Sequence, residues 1–328
     1  MRSLKSSWFP LLLSLLIVVI IVVQLIARSK QTIKAENFNG KFNESEDWSA
    51  PMDEEIPNGE AGDQIRYGRE LIRNTSLYFG PKGFIAQISN GMNCQNCHLD
   101  AGTRLYANSF AAVNATYPRF RERSGKTESI EFRINDCFQR SLDGTIPDKN
   151  GDEIKAMVAY IKWVGKNVPK GYRPKGTAIE NLSFLNRPAD TSNGKIIYQL
   201  KCTRCHGLNG EGKLSKDSVN YTYPPLWGNG SYNVSAGMFT LSKLAGFIKN
   251  NMPYDEASKL NPQLSNEQAW DVAAYINSKP RHAKFFANDW PDITKKPVDY
   301  PFGPYSDNFS EMQHKYGPFE PIIKRKGK

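Results

Sequence analysis

Two short strings contain four of the five cysteines and two of the four histidines in this 328-residue chain. Both have the form Cys-x-x-Cys-His, and they are Cys94-Gln-Asn-Cys97-His98 and Cys202-Thr-Arg-Cys205-His206. This spacing lets both thiols bond to the vinyl groups of one haem while the adjacent histidine binds iron. A thioredoxin-like pair would not require the histidine, and a structural zinc would require four ligands at each place. The strings therefore predict two covalently attached haem c groups, with His98 and His206 as iron ligands.

The second haem needs a distal ligand opposite His206. Met252, which is followed by Pro253, lies in a loop before the last predicted helix of its unit. A methionine in such a loop is the usual distal ligand of small monohaem cytochromes c, and methionine with histidine raises the reduction potential and suits electron transfer. We therefore predict Met252 as the ligand, with Met238 as the alternative and His282 as a surface residue.

The first haem lacks an equivalent methionine. Ile146-Pro147 stands where Met252-Pro253 stands in the second unit, and Met157 falls on the apolar face of a predicted helix. Cys137 is the remaining cysteine, and a lone thiol outside the cytoplasm is open to oxidation. Two interpretations follow: Cys137 is a small buried hydrophobic residue, or it is a reactive thiol that binds iron.

The neighbours of Cys137 favour the reactive interpretation. Cationic and hydrogen-bonding residues surround it in the sequence: Arg121, Arg123, Lys126, Arg133, Asn135, Gln139, Arg140 and Ser141. Positive charge favours the thiolate, which binds ferric iron and attacks sulfur electrophiles. Arginines also bind small dianions through paired hydrogen bonds. The segment therefore predicts a catalytic site at which Cys137 is the distal ligand of the first haem.

The N-terminal segment predicts a membrane anchor. Residues 6–27 carry no charge and would form a helix about 33 Å long, enough to cross a hydrocarbon core of about 30 Å. A cleaved signal peptide would have a shorter apolar region and a small-x-small cleavage site. Residues 28–56 are polar and read as a tether. Because haem c is attached outside the cytoplasm, we expect the rest of the chain on the periplasmic side of a bacterial inner membrane.

The remainder predicts a mainly α-helical protein with two cytochrome c-like domains. Residues 57–168 and 191–284 each contain a short helix, a haem motif, a loop and a closing helix, joined by a proline- and glycine-rich linker at 169–190. Residues 285–328 form a C-terminal extension that we expect to be an irregular arm. Only 39% of the residues are hydrophobic, so each porphyrin would supply part of the missing apolar core.

The closing helices carry the clearest secondary-structure signals. Ile154, Met157, Val158 and Ile161 fall at the spacing of one helix face. In the second unit Ser265 and Gln268 stand at capping-box spacing before a helix that runs to about Lys279. The string Val158-Ala-Tyr-Ile-Lys is echoed by Ala273-Ala-Tyr-Ile-Asn, which indicates an internal repeat.

The chain resembles the dihaem thiosulfate dehydrogenases, also called tetrathionate synthases or tetrathionate reductases. The resemblance rests on residues 117–144, on both haem motifs and on Lys249-Asn-Asn-Met252-Pro. SoxA-type cytochromes share the cysteine-ligated haem, but the arginine-rich segment favours the first family. The resemblance implies that the His/Cys haem is the active site and the His/Met haem the electron exit. Some members carry a lysine beside the methionine, where this chain has Asn251.

The resemblance implies that two thiosulfates couple to tetrathionate and release two electrons, or that the reverse reaction occurs. Arg123 and Arg133, with Lys126 and Ser141, would neutralise the dianions, and Cys137 would leave iron to carry one thiosulfate as a covalent adduct. Electrons would pass from the first haem to the second and on to a soluble cytochrome c or another redox partner. The alternatives are a non-catalytic dihaem electron-transfer cytochrome and a SoxA-like sulfur-oxidation cytochrome.

The chain carries a formal net charge of +10. No basic helix or aromatic-basic module accompanies this charge, so we expect no nucleic acid as a partner. The positive surplus would instead steer an anionic substrate and an acidic redox partner toward the protein.

Overall fold

The computed structural model describes residues 48–216 and 219–327. The predicted anchor at 6–27 and most of the predicted tether lie outside the described residues. Within the described ranges, none of the helices combines the length and the apolar character that crossing a bilayer requires.

Short helices joined by long loops dominate this part of the chain. The α-helices are α1 (Glu60–Arg73), α2 (Thr75–Phe79), α3 (Leu99–Gly102), α4 (Val113–Thr116), α5 (Ile130–Arg140), α6 (Asp152–Val164), α7 (Thr191–Lys201), α8 (Thr203–His206), α9 (Leu241–Asn251), α10 (Asn266–Asn277), α11 (Glu311–Tyr316) and α12 (Glu320–Lys326). Short 3₁₀ turns cover Asp53–Glu55, Cys94–Asn96, Gly237–Phe239 and Ile293–Lys295. Two antiparallel hairpins pair β1 (Arg119–Arg121) with β2 (Lys126–Glu128) and β3 (Lys213–Leu214) with β4 (Tyr221–Tyr223).

The first domain is built on the crossing of α1 and α6. The apolar face predicted for α6 is buried, with Ile154 and Met157 almost inaccessible to solvent. Gly68 of α1 sits at the crossing, where a methyl group would lie 1.9 Å from the carbonyl oxygen of Ala156. Only a residue without Cβ lets the two backbones come this close.

The second domain repeats the crossing with α7 and α10. Gly194 takes the place of Gly68, and a methyl group there would lie 2.0 Å from the carbonyl oxygen of Asp271. Ser265 caps α10 and forms the predicted capping box with Gln268. The mainly helical fold and the internal repeat predicted from the sequence are therefore confirmed.

Each domain has its own hydrophobic core, and a loop of the first domain reaches into the second. Leu99 and Ala107 follow the first haem motif but pack in the core formed around α9 and α10. The side chain of Asn251 donates a hydrogen bond to the Tyr106 carbonyl at 3.1 Å across the same boundary. The loop after the first motif therefore links the two domains.

The C-terminal extension is more ordered than the expected irregular arm. It ends in α11 and α12, and Phe319 and Ile322 are buried in the core of the second domain. His314 of α11 is also buried, with its Nδ1 at 2.8 Å from the Val298 carbonyl and its Nε2 at 2.9 Å from Asp307. Helices of six and seven residues are too short to give a periodic sequence pattern, which explains why the prediction missed them.

Candidate active site

The first haem motif opens onto a cavity of about 280 Å³. Cys94, Cys97 and His98 line this cavity, and so does Cys137 from the last turn of α5. Ser129 caps the N-terminus of α5 by accepting a hydrogen bond from the Phe132 N–H. This capped helix brings the fifth cysteine, 39 residues beyond His98 in the chain, into the same cavity as the motif.

His98 is held in the state that a metal ligand requires. Its Nδ1 lies 2.6 Å from the carbonyl oxygen of Asn108, which can only accept, so Nδ1 carries the proton. Burial lowers the pKa of His98 to about 4 and keeps the ring neutral. The Phe110 ring packs against the imidazole with centroids 4.5 Å apart. The Nε2 lone pair is therefore free to bind iron.

The second motif opens onto a larger cavity of about 390 Å³. His206 repeats the arrangement of His98, because its Nδ1 lies 2.8 Å from the Pro224 carbonyl and burial lowers its pKa. Met252, at the C-terminus of α9, lines this cavity, and so does Met238. The Met238 sulfur lies 3.9 Å from the side-chain nitrogen of Asn108. Both methionines considered from the sequence therefore line the same cavity as His206.

The two cavities adjoin each other. Met92 and Cys97 line both of them. Asn108 also joins the two sites, since its carbonyl accepts from His98 while its side chain contacts the Met238 sulfur. Groups bound in the two cavities would therefore both lie against Met92 and Cys97.

The residues around both cavities fit haem c. Each cavity contains two thiols at the attachment spacing and one neutral imidazole with a free Nε2. Tyr232 lines the second cavity, and its Oη and the Nε of the adjacent Arg281 are buried without a hydrogen-bond partner among the residues that the structure describes, while Arg281 Nη1 and Nη2 donate to backbone carbonyls. A buried cation without a carboxylate is costly, so these groups fit the acidic side chains of a haem.

Three arginines line the first cavity on its solvent side: Arg119, Arg121 and Arg173. Arg119 and Arg121 are two residues apart in β1, so their side chains lie on the same face of that strand. Burial and the like charges of these two residues lower the pKa of Arg173. None of the three forms an ion pair within the described ranges. Their charges remain available to an anion.

The sequence reasoning missed Arg119 and Arg173 as cavity residues. A signal was available for Arg119, since it stands two residues before Arg121 in a short extended stretch. Arg173 lies in the predicted linker 169–190, and nothing in its local pattern points to the cavity. Arg173 lines the cavity because the linker passes close to β1 in the folded chain.

Arg133 is the arginine most closely coupled to Cys137. It lines the cavity from α5 and pairs with Asp136 on the same helix. Interaction with Cys137 is the largest cause that raises the pKa of the Arg133 guanidinium, ahead of the opposing effect of burial. Ser141, at the C-terminus of α5, lines the cavity as well. The structure therefore brings together three of the five predicted catalytic residues.

The other two predicted residues lie elsewhere. Arg123 is turned away from the cavity lining and donates to the Ser235 carbonyl at 3.2 Å, with its guanidinium over the Trp290 ring. Burial and the charge of Arg140 lower the pKa of Arg123. Lys126 is exposed on β2 and does not line the cavity among the described residues. The hairpin turns these side chains away although they are near Cys137 in sequence.

Known protein families match both domains. Residues 85–169 match the model described as SoxA/TsdA, cytochrome c domain, and residues 191–280 match the model described as cytochrome c. A thiosulfate dehydrogenase of Allochromatium vinosum is 36% identical over 69% of this chain and 81% of its own length. This chain belongs to the thiosulfate dehydrogenase family. The resemblance seen in the sequence is thereby confirmed, and the chain is an enzyme of this family that binds two haem c groups.

Other members of the family are similarly close. A thiosulfate dehydrogenase of Psychrobacter arcticus is 35% identical over 74% of this chain and 71% of its own length. Among solved structures, thiosulfate dehydrogenase (TsdBA) of Marichromatium purpuratum superimposes with a TM-score of 0.65 at 33% identity. That match covers 70% of this chain and 49% of the other, so this chain spans about half of the TsdBA chain.

Proposed function

We propose that this enzyme couples two thiosulfates to tetrathionate, 2 S₂O₃²⁻ → S₄O₆²⁻ + 2 e⁻, in the first cavity. The observation that carries the proposal is the presence of Cys137 in the same cavity as His98, with Arg119, Arg121, Arg133 and Arg173 around it. A thiol that carries sulfur and a cationic wall that binds sulfur oxyanions are the two elements that this reaction requires. The names of the related enzymes support the choice of thiosulfate.

The arginines solve an electrostatic problem. Two unit charges 4 Å apart repel by about 4 kcal/mol at an effective dielectric constant of about 20, and two dianions repel roughly four times as strongly. Arginine donates paired hydrogen bonds to planar and tetrahedral oxyanions, so one guanidinium can hold two oxygens of one thiosulfate. Arg133 binds the first thiosulfate next to Cys137. The arginines on the solvent side attract and hold the second thiosulfate.

Cys137 divides the reaction into two balanced steps. The Cys137 thiolate and one thiosulfate form a sulfur–sulfur bond with loss of two electrons, which gives Cys–S–S–SO₃⁻. The second thiosulfate then attacks the sulfur bonded to Cys137, tetrathionate leaves, and the Cys137 thiolate is regenerated with its electrons. Arg133 holds the thiolate charge at the start and at the end of the cycle. The same steps in reverse reduce tetrathionate.

The proposed ligand set is His98 with Cys137 at the first site and His206 with Met252 at the second. Haem c supplies one-electron oxidation and reduction at each site when it is bound. Asn108 and Pro224 orient the two imidazoles through their carbonyl groups. Met252 is favoured because it ends α9 on the cavity wall, whereas the Met238 sulfur already contacts Asn108.

We also propose the cellular setting of the reaction. An anchor at 6–27 and attachment of haem c outside the cytoplasm would place the enzyme at the periplasmic face of the inner membrane. A soluble cytochrome c or another redox protein would accept the two electrons.

The purified holoprotein tests the proposal in two assays. The first follows ferricyanide reduction by thiosulfate with tetrathionate as product, and the second follows oxidation of a reduced viologen by tetrathionate. We expect activity in the first assay and its loss in Cys137→Gly with both haems still attached. A wild-type protein that is inactive toward thiosulfate and tetrathionate would overturn the substrate, and an active Cys137→Gly protein would overturn the role of the cysteine.

A further inference from the structure

The C-terminal extension contacts the helix that carries Cys137. Both carboxylate oxygens of Asp289 accept hydrogen bonds from the Arg140 guanidinium, each at 2.7 Å. The Phe286 ring covers the same guanidinium at 3.9 Å. The backbone N–H of Trp290 donates a hydrogen bond to the Arg123 carbonyl at 2.7 Å. The side chains of Arg140 and Asp289 are only 8% and 13% exposed. A distant segment therefore supplies a buried carboxylate to α5.

Arg140 leads from Asp289 back to the cavity. Arg133, Asp136 and Arg140 are spaced three and four residues apart, so they share one face of α5. One oxygen of Asp136 accepts from Arg140 Nε, and the other accepts from Arg133 Nη1. We call Asp289, Arg140, Asp136 and Arg133 the ion-pair chain. It begins in the extension and ends at the cavity residue next to Cys137.

We propose that Asp289 is a positioning residue for the substrate, acting on Arg133 through Arg140 and Asp136. The inference rests on the proposed function, since it concerns how thiosulfate is held. With Asp289 in place, Nη1 and Nη2 of Arg140 donate to its carboxylate, and the Asp136 carboxylate accepts from both Arg133 and Arg140. Without it, a buried guanidinium loses its main partner, and Asp136 is the remaining carboxylate of the chain. Arg140 then draws Asp136 away from Arg133, which loses its fixed position.

Removing the Asp289 carboxylate changes both the local charge and the position of Arg133. These two changes should shift the KM for thiosulfate in opposite directions, so the inference can be tested. Arg123, Arg133 and Arg140 lie close to two carboxylates, Asp136 and Asp289. Removing one carboxylate makes this region more positive, and by charge alone it would bind a dianion more tightly. Loss of the position of Arg133 would weaken binding instead. The direction of the change in KM therefore separates the two effects.

The experiment compares Asp289→Asn with Asp292→Asn in the full-length holoprotein. Asp292 is an exposed residue three positions further along the same extension, and its removal deletes the same charge without touching Arg140. We expect the KM for thiosulfate to rise on the order of tenfold in Asp289→Asn, the coupling usual within one ion-pair network, with kcat changed much less. Asp292→Asn should keep the wild-type KM, and Asp289→Glu, which retains the carboxylate, should recover most of the loss.

A double variant and a second readout complete the test. In an Arg133→Gln background, Asp289→Asn should have little further effect on KM, because the residue through which it acts is gone. Titration of the oxidised protein with thiosulfate, followed by the visible spectrum, should show the same weakening without turnover. If Asp289→Asn fails to fold, Arg140→Lys breaks the same chain and must raise KM. An unchanged or lower KM, or full additivity with Arg133→Gln, would overturn the inference, whereas a wild type inactive toward thiosulfate would overturn the proposed function.

Discussion

The two domains share one helical frame but present different cavities. In both, a glycine lets the opening helix touch the closing helix, and the motif histidine donates to a backbone carbonyl. The first cavity then receives Cys137 and four arginines, whereas the second receives Met238, Met252 and mostly apolar side chains, and Met92 lines both. The shared helices therefore determine how a haem would be held. The loops and short helices between the motif and the closing helix determine which side chains line the rest of the cavity.

The use of charge differs in the same way. The linker residue Arg187 binds the buried Asp271 of the second domain, and Arg204 of the second haem motif pairs with Asp255 and Glu256. These arginines are neutralised by partners within the protein. Around the first cavity, Arg119, Arg121 and Arg173 keep their charge for an external anion. The two cavities therefore differ in lining charge, because four arginines line the first and none lines the second among the described residues.

Replacing Cys137, the proposed distal ligand of the first site, with methionine, the residue type proposed for the second, should have the largest effect. Cys137→Met keeps a sulfur that could bind iron but cannot form a sulfur–sulfur bond to thiosulfate, so thiosulfate oxidation should fall at least about a thousandfold. Haem content should remain at two per chain because both motifs are intact. The matched control is Met157→Leu, a conservative change in the core of the same domain. A Cys137→Met protein with a tenth of the wild-type rate would contradict the division of roles.

Asp271→Asn should show that the buried charge of the second domain serves stability. Burial opposes ionisation of Asp271, but hydrogen bonds from Arg187, the Asp190 N–H and Asn193 lower its pKa overall. We expect a loss of about 2 kcal/mol in the free energy of unfolding at pH 7, below the range for fully buried pairs because Arg187 is 40% exposed.

The pH dependence of this loss follows from the direction of the shift. A carboxyl with a lowered pKa stabilises the fold fully above its unfolded pKa of about 3.9, and this contribution disappears as the pH falls through the lower, folded value. The difference between wild type and variant should therefore shrink below pH about 4 in guanidinium unfolding curves. Asp255→Asn, an exposed acid of the same domain, should leave the unfolding curve nearly unchanged. An equal loss in both variants would refute the assignment.

Leucine substitutions should identify the distal ligand of the second site. The axial ligand sets haem potentials over a range of about 0.8 V, so Met252→Leu should lower the potential of the second haem by on the order of 0.1 V or more. Met238→Leu is the matched control and should leave it nearly unchanged. Redox titration followed in the visible spectrum measures both. The opposite outcome would assign the ligand to Met238.

Charge removal at the solvent side of the first cavity should have the smallest effect. Arg173→Ala should raise the KM for thiosulfate about threefold at low ionic strength, as expected for an exposed charge, and salt should reduce the difference. Lys126→Ala should change KM less, because Lys126 does not line the cavity. Equal effects of the two variants would show that only the net charge of this face matters.

Much of the fold could be predicted from local patterns. The apolar face of α6 and the capping box of α10 have the periods and spacings of helices, and both helices are present. The same reasoning missed α11 and α12, because their stability comes from Phe319 and Ile322 packing into the second core and not from a repeat in their own sequence.

Three of the predicted site residues line one cavity because they share one segment. Arg133 and Cys137 of α5 and Ser141 at its C-terminus lie one helical turn apart, so residues that are near in sequence are also near in space. Arg123 and Lys126 are equally near in sequence, but the hairpin of β1 and β2 turns them away from the cavity. Arg173 and Asp289 are distant in sequence, and no local pattern assigns them to α5 or to its cavity.

The sequence by itself therefore determined the cofactor and the helical frame, because attachment of haem c and helix formation depend on spacings of a few residues. Tertiary structure alone decided that Arg173 lines the first cavity and that Asp289 holds Arg140. Those positions follow from contacts between segments that are far apart in the chain. Such contacts depend on how whole helices and loops pack against each other. The spacing of residues within a short segment of sequence therefore does not predict them.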